Sequence, residues 1–269
     1  RVILIIDETT EFKYTHYMER IIVIANQKGG VGKTTTVVNL AAGLEKLGNR
    51  VAVIDLDSQG ALTISLGFDP YSIHPSTYEL LIDKNTTFLD VLRDTNNGLS
   101  IAPANAELIA AEYKLYNLPK RTSRLSDAVK LPRKAFDYIL IDTPPSLGLL
   151  TVNGLVTATE LLIPVAANYL SMRGVRSLLD SVWLIRERLN PDLELLGVLP
   201  TMVHPNAPHA KSALHEMKNV FKHKVFRTFI PYDDTTATAP AMRQTSIDYA
   251  PDSAVAKAYQ QIAQEVNNA

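Results

Sequence analysis

Short runs of consecutive apolar residues alternate along the chain with longer segments whose apolar residues recur at helical spacing. The runs predict buried strands over residues 21–25, 50–54, 99–103, 136–142, 160–165, 193–199 and 225–230. The spaced segments predict helices over residues 34–47, 77–82, 88–93, 105–116, 151–158, 171–189, 207–221 and 252–266. Strands that alternate with helices in this way predict one α/β domain, doubly wound around a mostly parallel sheet.

A glycine-rich turn joins the first of these buried strands to the first long helix. It reads Lys28-Gly29-Gly30-Val31-Gly32-Lys33-Thr34-Thr35. The glycines allow backbone N–H groups to converge on an anion, and the helix start adds unpaired donors and a positive dipole end. In such a cradle Lys33 supplies positive charge to the β- and γ-phosphates, and the Thr34 hydroxyl is placed to bind Mg²⁺. The segment therefore predicts a site for the phosphates of a nucleotide.

The loop departs from the general P-loop pattern in a specific way. Gln27 stands where the pattern has its first glycine, and a second lysine, Lys28, opens the loop. This variant resembles the deviant Walker A motif of the ParA/MinD family of P-loop ATPases. A plain glycine turn with solvated lysines is the alternative, but the strand before the loop and the helix after it favour the P-loop.

The resemblance implies a P-loop NTPase fold over residues 18–269, with ATP and Mg²⁺ as ligands. It also implies a role for Lys28, which in the family reaches across to the nucleotide of a second copy. ATP would then hold two chains together as a homodimer, and hydrolysis would loosen that dimer.

A pair of acidic residues follows the second strand of this domain. Asp55-Leu56-Asp57-Ser58-Gln59 resembles the family's D-x-D-P-Q switch I segment, with Ser58 in place of the proline. By resemblance, Asp57 positions or activates the attacking water, and Asp55 lies near the Mg²⁺ shell. Acids after a strand often form a turn or a helix cap instead. Their spacing from Lys33 favours the family role.

A third acid ends the hydrophobic strand 136–142, which is the Walker B pattern. Asp142 would hold Mg²⁺ through water, and the following Thr143-Pro144-Pro145 resembles the family's switch II loop. Hydrophobic residues followed by Asp are common in α/β folds. The pattern becomes specific through its combination with the P-loop upstream.

Two loops further along are expected to contact the base of the nucleotide. By resemblance, Thr201 and Met202 touch the adenine, and Pro231 and Tyr232 line the same pocket. The family commonly has Pro-Arg-Asn where this chain reads Pro231-Tyr232-Asp233. The substitution removes a positive charge often linked to DNA contact in the family.

Composition limits the classes of function open to the chain. The 269 residues contain no cysteine, which excludes disulfides, thiolate zinc sites and iron–sulfur ligation. The iron-protein reductases that share the two-lysine loop need cluster cysteines and are therefore excluded as well.

The net charge is −1, so DNA binding would need a local basic patch. Lys211, Lys218 and Lys222 recur at roughly helical-face spacing and are the candidates, with an ordinary exposed helix as the alternative.

Residues 1–17 fit the domain pattern poorly. Arg1 to Asp7 is strand-like and Glu8 to Tyr17 is polar without a clear period, whereas Met18 stands where a chain of this family would begin. We expect an N-terminal extension, a vector-derived remnant or a mis-assigned start, with an extra edge strand as the alternative.

The expected function follows from the family. The first hypothesis is a ParA-type partition ATPase in the cytoplasm, whose ATP dimer binds DNA non-specifically on the nucleoid. A ParB-like protein or another cargo adaptor would stimulate hydrolysis and so move plasmid, chromosome or other cargo. The alternative is a MinD-like ATPase that binds membranes, but residues 258–269 are small, polar and weakly acidic, which disfavours a membrane partner. A metabolic P-loop ligase is a further alternative that would not need Lys28.

Overall fold

The protein is described by a computed structural model that covers residues 2–6, 12–16, 19–130, 135–167 and 171–269. The strands are β1 Val2–Ile6, β2 Phe12–His16, β3 Arg20–Ile24, β4 Val51–Asp55, β5 Arg93–Asp94, β6 Ser100–Ala102, β7 Tyr138–Asp142, β8 Glu160–Ala166 and β9 Glu194–Thr201. The helices are α1 Lys33–Lys46, α2 Ala61–Ser65, α3 Thr77–Ile82, α4 Phe88–Val91, α5 Ala111–Tyr116, α6 Arg124–Val129, α7 Leu149–Thr157, α8 Ser171–Arg188, α9 Pro208–Phe221, α10 Thr235–Ala241, α11 Ser246–Tyr249 and α12 Ala254–Asn267. Short 3₁₀ helices cover Ala106–Ala110 and Lys222–Lys224.

The main sheet has seven strands in the order β5-β6-β4-β7-β3-β8-β9. All neighbours are parallel except β5, which runs antiparallel to β6. The predicted mostly parallel α/β sheet is therefore confirmed. In the register, Asp142 at the end of β7 pairs with Asp55 on β4 and with Ile24 on β3. The last residues of three neighbouring strands thus lie level at one edge of the sheet.

Helices cover both faces of the sheet, as the doubly wound prediction requires. Successive side chains of β3 alternate between two buried apolar clusters, Ile21 with one and Ile22 with the other. The first cluster includes residues of α7 and α8, and the second joins α1 to α12. Gly43 permits the close approach of α1 and α12, because a Cβ there would lie 2.7 Å from that of Ala263.

The predicted strand over 225–230 is wrong. The segment runs beside β9 but makes only isolated bridges, Val198 with Val225 and Val203 with Pro231. The N–H groups of Arg227 and Thr228 instead donate to the carboxylate of Glu265 on α12, at 3.1 and 3.0 Å. Because these amides bind a side chain rather than a strand, no regular ladder forms.

Two predicted helices are shorter or less regular than expected. Only Phe88–Val91 of the segment 88–93 is helical, since Arg93 and Asp94 pair with β6. The segment 105–116 begins as a 3₁₀ helix and becomes α-helical at Ala111.

The first residues form a separate element. β1 and β2 pair antiparallel in a two-stranded sheet of their own, which confirms the strand-like pattern near the start. Residues 1, 7–11, 17 and 18 lie outside the described residues. The assignment of 1–17 as an extension stays a prediction.

Candidate nucleotide-binding site

The glycine loop lies between β3 and α1, as predicted. Gly30 and Gly32 have φ values of +69° and +86°, in the left-handed region that favours glycine. Gly32 caps α1, and its carbonyl accepts the N–H of Thr36 at 2.9 Å. Glycine has no side chain that could accept hydrogen bonds from the N–H groups of residues 33–35, which begin the first turn of α1. Those amides and the positive end of the helix dipole therefore suit an anion.

Two side chains clamp this loop to the sheet. Asn26, which is buried, accepts the N–H of Lys28 at 3.0 Å and donates to the carbonyl of Pro164 at 2.7 Å. On the other side, the Thr201 hydroxyl donates to the carbonyl of Val31 at 2.8 Å. The chain's own side chains therefore hold the loop to β8 and β9, which reduces the ordering that binding would require.

A buried cation and a buried acid flank the first turn of α1. Lys33 is buried, and its ammonium donates to the carbonyl of Lys28 at 3.4 Å. Burial lowers the pKa of Lys33, while the charges of Asp142 and Asp57 oppose that shift. Lys28 itself is exposed at the opening of the loop.

Asp142 meets Thr34 at the end of β7. The Thr34 hydroxyl donates to Asp142 Oδ2 at 2.6 Å, whereas Asp142 Oδ1 has no hydrogen-bond partner among the described residues. Burial, followed by the charge of Asp55, raises the pKa of Asp142 well above its ordinary value. A hydroxyl and a carboxylate oxygen with spare capacity fit Mg²⁺, which proteins usually hold by one or two carboxylates together with water and phosphates. No ready-made cage of three His, Asp or Glu side chains is present in the described part of the chain.

The two acids after β4 have different surroundings. Asp55 is fully buried: its Oδ1 accepts the N–H of Asp57 at 3.0 Å, and its Oδ2 accepts the N–H and hydroxyl of Thr63 at 2.9 and 2.7 Å. Burial raises the pKa of Asp55 to about 6. Asp57 is partly exposed and accepts the N–H of Gln59 at 3.0 Å. The roles predicted for Asp55 at the metal and for Asp57 at the water stay predictions.

The residues predicted to contact the base lie on two adjacent segments. Thr201 touches the glycine loop, and Met202 is 39% exposed with φ +53°. Tyr232 donates its N–H to the carbonyl of Val203 at 2.9 Å, and its ring stacks on His204 with centroids 4.6 Å apart. Met202 and Tyr232 are thus brought together beside the loop, although their contact with adenine, like that of Pro231, stays a prediction.

The three candidate DNA-binding lysines lie on or directly after α9. Lys211 and Lys218 are exposed on α9, and Lys222 is exposed at its end. The same helix buries Ala210, Ala213 and Met217 on its other side. The predicted exposed basic face is present, and its binding of DNA stays a prediction.

Three polar residues support the site without having been predicted. Asn26 directly precedes the loop, which is the one local signal that could have drawn attention to it. Thr63 reaches back to Asp55, and the Thr143 hydroxyl donates to the carbonyl of Ile24 at 2.8 Å. Thr63 is only eight residues from Asp55, but no motif marks it. Thr143 belongs to the predicted switch II segment, yet its contact joins two strands that are far apart in the sequence, and the motif does not indicate it.

A glycine loop before a helix, with a buried lysine and a threonine–aspartate pair at one edge of a parallel sheet, defines a P-loop nucleotide-binding protein. A family model described as an AAA domain matches residues 19–195. The sporulation initiation inhibitor protein Soj of Bacillus subtilis is 39% identical over 250 residues, covering 93% of this chain and 98% of Soj. The chromosome partitioning protein ParA of Myxococcus xanthus is 38% identical over 231 residues, covering 86% of this chain and 81% of that protein.

A solved structure supports the same assignment. Cobyrinic acid a,c-diamide synthase from Mycobacterium smegmatis, bound to an ATP analog and magnesium, superimposes with a TM-score of 0.81 and 34% identity, over 93% of this chain and 94% of that one. The chain belongs to the ParA/MinD family of P-loop ATPases with a deviant Walker A motif, as the loop sequence predicted. Among the helices that the structure describes, none combines the length and apolar character needed to cross a membrane.

Proposed function

We propose that the chain is a Mg²⁺-dependent ATPase of the ParA type. One observation carries the proposal. A buried oxygen of Asp142 has no hydrogen-bond partner in the part of the chain that the structure describes, and it lies beside the Thr34 hydroxyl and a glycine loop followed by the buried Lys33. An uncompensated buried carboxylate is costly, and a cation brought with a triphosphate would compensate it. The neighbour that holds an ATP analog with magnesium supports the same ligands.

Each site residue then has a chemical role. Lys33 and the loop amides neutralise the phosphates, and Thr34 and Asp142 hold the metal. Bound there, Mg²⁺ would offset the charge that develops on the phosphate oxygens. Asp57, partly exposed at the same edge, orients a water for in-line attack on the terminal phosphate.

The second lysine supplies the link between two copies. Lys28 is exposed at the loop opening, whereas Lys33 already serves the phosphates from within. We propose that Lys28 contacts the nucleotide of a second copy, so that ATP binds two chains at once. Loss of the terminal phosphate on hydrolysis removes that contact and loosens the dimer.

The dimer would act on DNA through α9. Lys211, Lys218 and Lys222 offer positive charge to phosphate backbones without base readout, which suits non-specific binding. A ParB-like protein or another cargo adaptor would stimulate hydrolysis and release the dimer from DNA. The names of Soj and ParA support a role in partitioning.

The arrangement of α12 disfavours the MinD-like alternative. A membrane-binding helix must expose its apolar face. The apolar side chains of α12, including Tyr259, Ile262 and Val266, are instead buried against α1 and the sheet. α12 would have to leave the core to reach a bilayer.

DNA co-sedimentation in ATP or ADP across a salt series, with ATPase activity measured in parallel, tests this function. We expect DNA binding with ATP that weakens steeply as salt rises, and a smaller slope for the double variant Lys211→Glu/Lys218→Glu. Lys84→Glu, at an exposed position between α3 and α4, is the matched control and should bind as the natural chain does. Equal binding with ATP and ADP would contradict the switch, and ATP consumption only with an added acceptor would favour a ligase.

A further inference from the structure

The Asp55 carboxylate is the centre of a buried hydrogen-bond network. Its oxygens accept three donors, the N–H of Asp57 and the N–H and hydroxyl of Thr63, at 2.7–3.0 Å. Both Asp55 and Thr63 have 0% relative exposure. Such a carboxylate is stabilised by donors that already surround it, because charge-assisted hydrogen bonds are among the strongest in proteins.

The network continues to a neighbouring strand. The Thr63 hydroxyl accepts the N–H of Ala104, just beyond β6, at 2.9 Å. The Thr77 hydroxyl donates to the main-chain carbonyl of Asp55 at 2.9 Å, and its N–H donates to the carbonyl of Pro103. The ends of β4 and β6 and the start of α3 are therefore joined through Asp55 and Thr63.

This network fixes the path of the loop that carries Asp57. Two hydrogen bonds join Asp55 to Thr63, so the segment between these residues is a loop that is closed at its ends. Within it, the N–H of Asp57 binds Asp55, and the Asp57 carboxylate accepts the N–H of Gln59. The direction of the Asp57 side chain therefore depends on the contact between Asp55 and Thr63, which are eight residues apart in the sequence.

We infer that Asp55 and Thr63 form a positioning pair for Asp57 and that neither binds the metal. Asp55 and Asp142 are equally buried, but they differ in their partners. Asp142 keeps an oxygen without a partner among the described residues, whereas both oxygens of Asp55 accept hydrogen bonds. A metal ligand needs a lone pair directed at the ion. One oxygen of Asp142 has no hydrogen-bond partner among the described residues, whereas three of the about four lone pairs of the Asp55 carboxylate already accept hydrogen bonds.

The inference rests on the proposed ATPase only through the role of Asp57. The experiment distinguishes a failure of the inference from a failure of the proposed function. Thr63→Val keeps the shape of the side chain and removes the hydroxyl, and Thr63→Ser restores it. Ser65→Ala is the matched control, since that hydroxyl on the same helix donates only to the carbonyl of Ala61 in its own turn. Asp55→Asn is measured alongside.

The first readout is amide hydrogen exchange in EDTA without nucleotide, which needs neither metal nor catalysis. Thr63→Val should speed exchange of the Asp57 and Gln59 amides by about ten- to a hundredfold, the range expected when a hydrogen bond to a charged group is lost. Thr63→Ser and Ser65→Ala should leave exchange at these amides within about twofold of the natural chain. Unchanged exchange in Thr63→Val would overturn the inference.

The second readout separates positioning from metal binding. For Thr63→Val and Asp55→Asn we expect kcat to fall at least about tenfold, with the Mg²⁺ concentration for half-maximal rate and the ATP affinity in EDTA nearly unchanged. A large rise in the Mg²⁺ requirement of Asp55→Asn would identify Asp55 as a ligand and refute the inference. If the natural chain hydrolysed no ATP, the proposed function would fail, and the exchange result would still decide whether the pair holds Asp57.

Discussion

The buried acids Asp55 and Asp142 should make the nucleotide-free protein less stable as the pH rises. A carboxyl whose pKa is raised by folding binds its proton more tightly in the folded state. The unfolded chain therefore loses that proton first, near pH 4, and stability falls until the folded carboxyl ionises too. For Asp55, with a pKa of about 6, that window runs from about pH 4 to 6. The pKa of Asp142 is also raised, mainly by burial, so its contribution has the same sign.

Asp142→Asn should therefore stabilise the protein in the absence of ligand. A shift from the ordinary value to about 6 corresponds to about 3 kcal/mol for Asp55 alone, at about 1.4 kcal/mol per pKa unit. The substitution removes one buried charge and its repulsion of Asp55, while an amide oxygen can still accept from Thr34. We expect a gain in the free energy of unfolding at pH 8 on the order of 1 kcal/mol, the usual size of a single-substitution effect, and this gain should shrink towards pH 5.

Urea denaturation in EDTA at pH 5 and pH 8 measures this effect. Asp137→Asn is the control with the opposite sign, because a hydrogen bond from Arg50 lowers the pKa of Asp137 and stabilises its ionised form. That control should lose a similar amount of stability at pH 8 and at pH 5, because a carboxyl with a lowered pKa is ionised in both the folded and the unfolded chain above about pH 4. If Asp142→Asn were no more stable than the natural chain at pH 8, the reasoning about an uncompensated buried acid would be wrong.

Three further substitutions test the loop and its supports. Lys33→Ala should abolish ATP binding measured by calorimetry, because the buried ammonium is the loop's main charge; retained affinity would contradict the cradle. Asn26→Ala should weaken ATP binding about tenfold by freeing the Lys28 amide; unchanged affinity would contradict this role. Gly148→Ala would place a Cβ 1.8 Å from Glu112 Oε1 and should cost about 1–3 kcal/mol in urea denaturation; an unchanged midpoint would show that Glu112 moves freely.

The sequence predicted the parts of the site that follow chain order. A strand, a glycine loop and a helix are adjacent in sequence, so Lys33 and Thr34 could be placed before the structure was known. Asp142 was predicted from the Walker B pattern of a hydrophobic strand that ends in an acid, and it pairs with Asp55 across β7 and β4.

The sequence could not predict side-chain contacts that no motif or periodicity marks. Thr63 is one threonine in a short helix that follows Asp55 by eight residues, and only the folded chain places it on Asp55. The failure of the predicted strand at 225–230 has the same origin, because Glu265 is brought to those amides by the docking of α12. Apolar β-branched residues indicate a strand, but here the Glu265 carboxylate accepts two N–H groups that a neighbouring strand would otherwise bind.

The dependence of the dimer on ATP tests the central claim most directly. The hydrolysis-deficient variant Asp57→Ala should be measured by sedimentation velocity with Mg²⁺ and either ATP or ADP. We expect a species of twice the chain mass with ATP but not with ADP. Adding Lys28→Ala should abolish that species while ATP binding remains. A monomer with ATP, or a dimer that does not depend on Lys28, would contradict a dimer joined through the nucleotide.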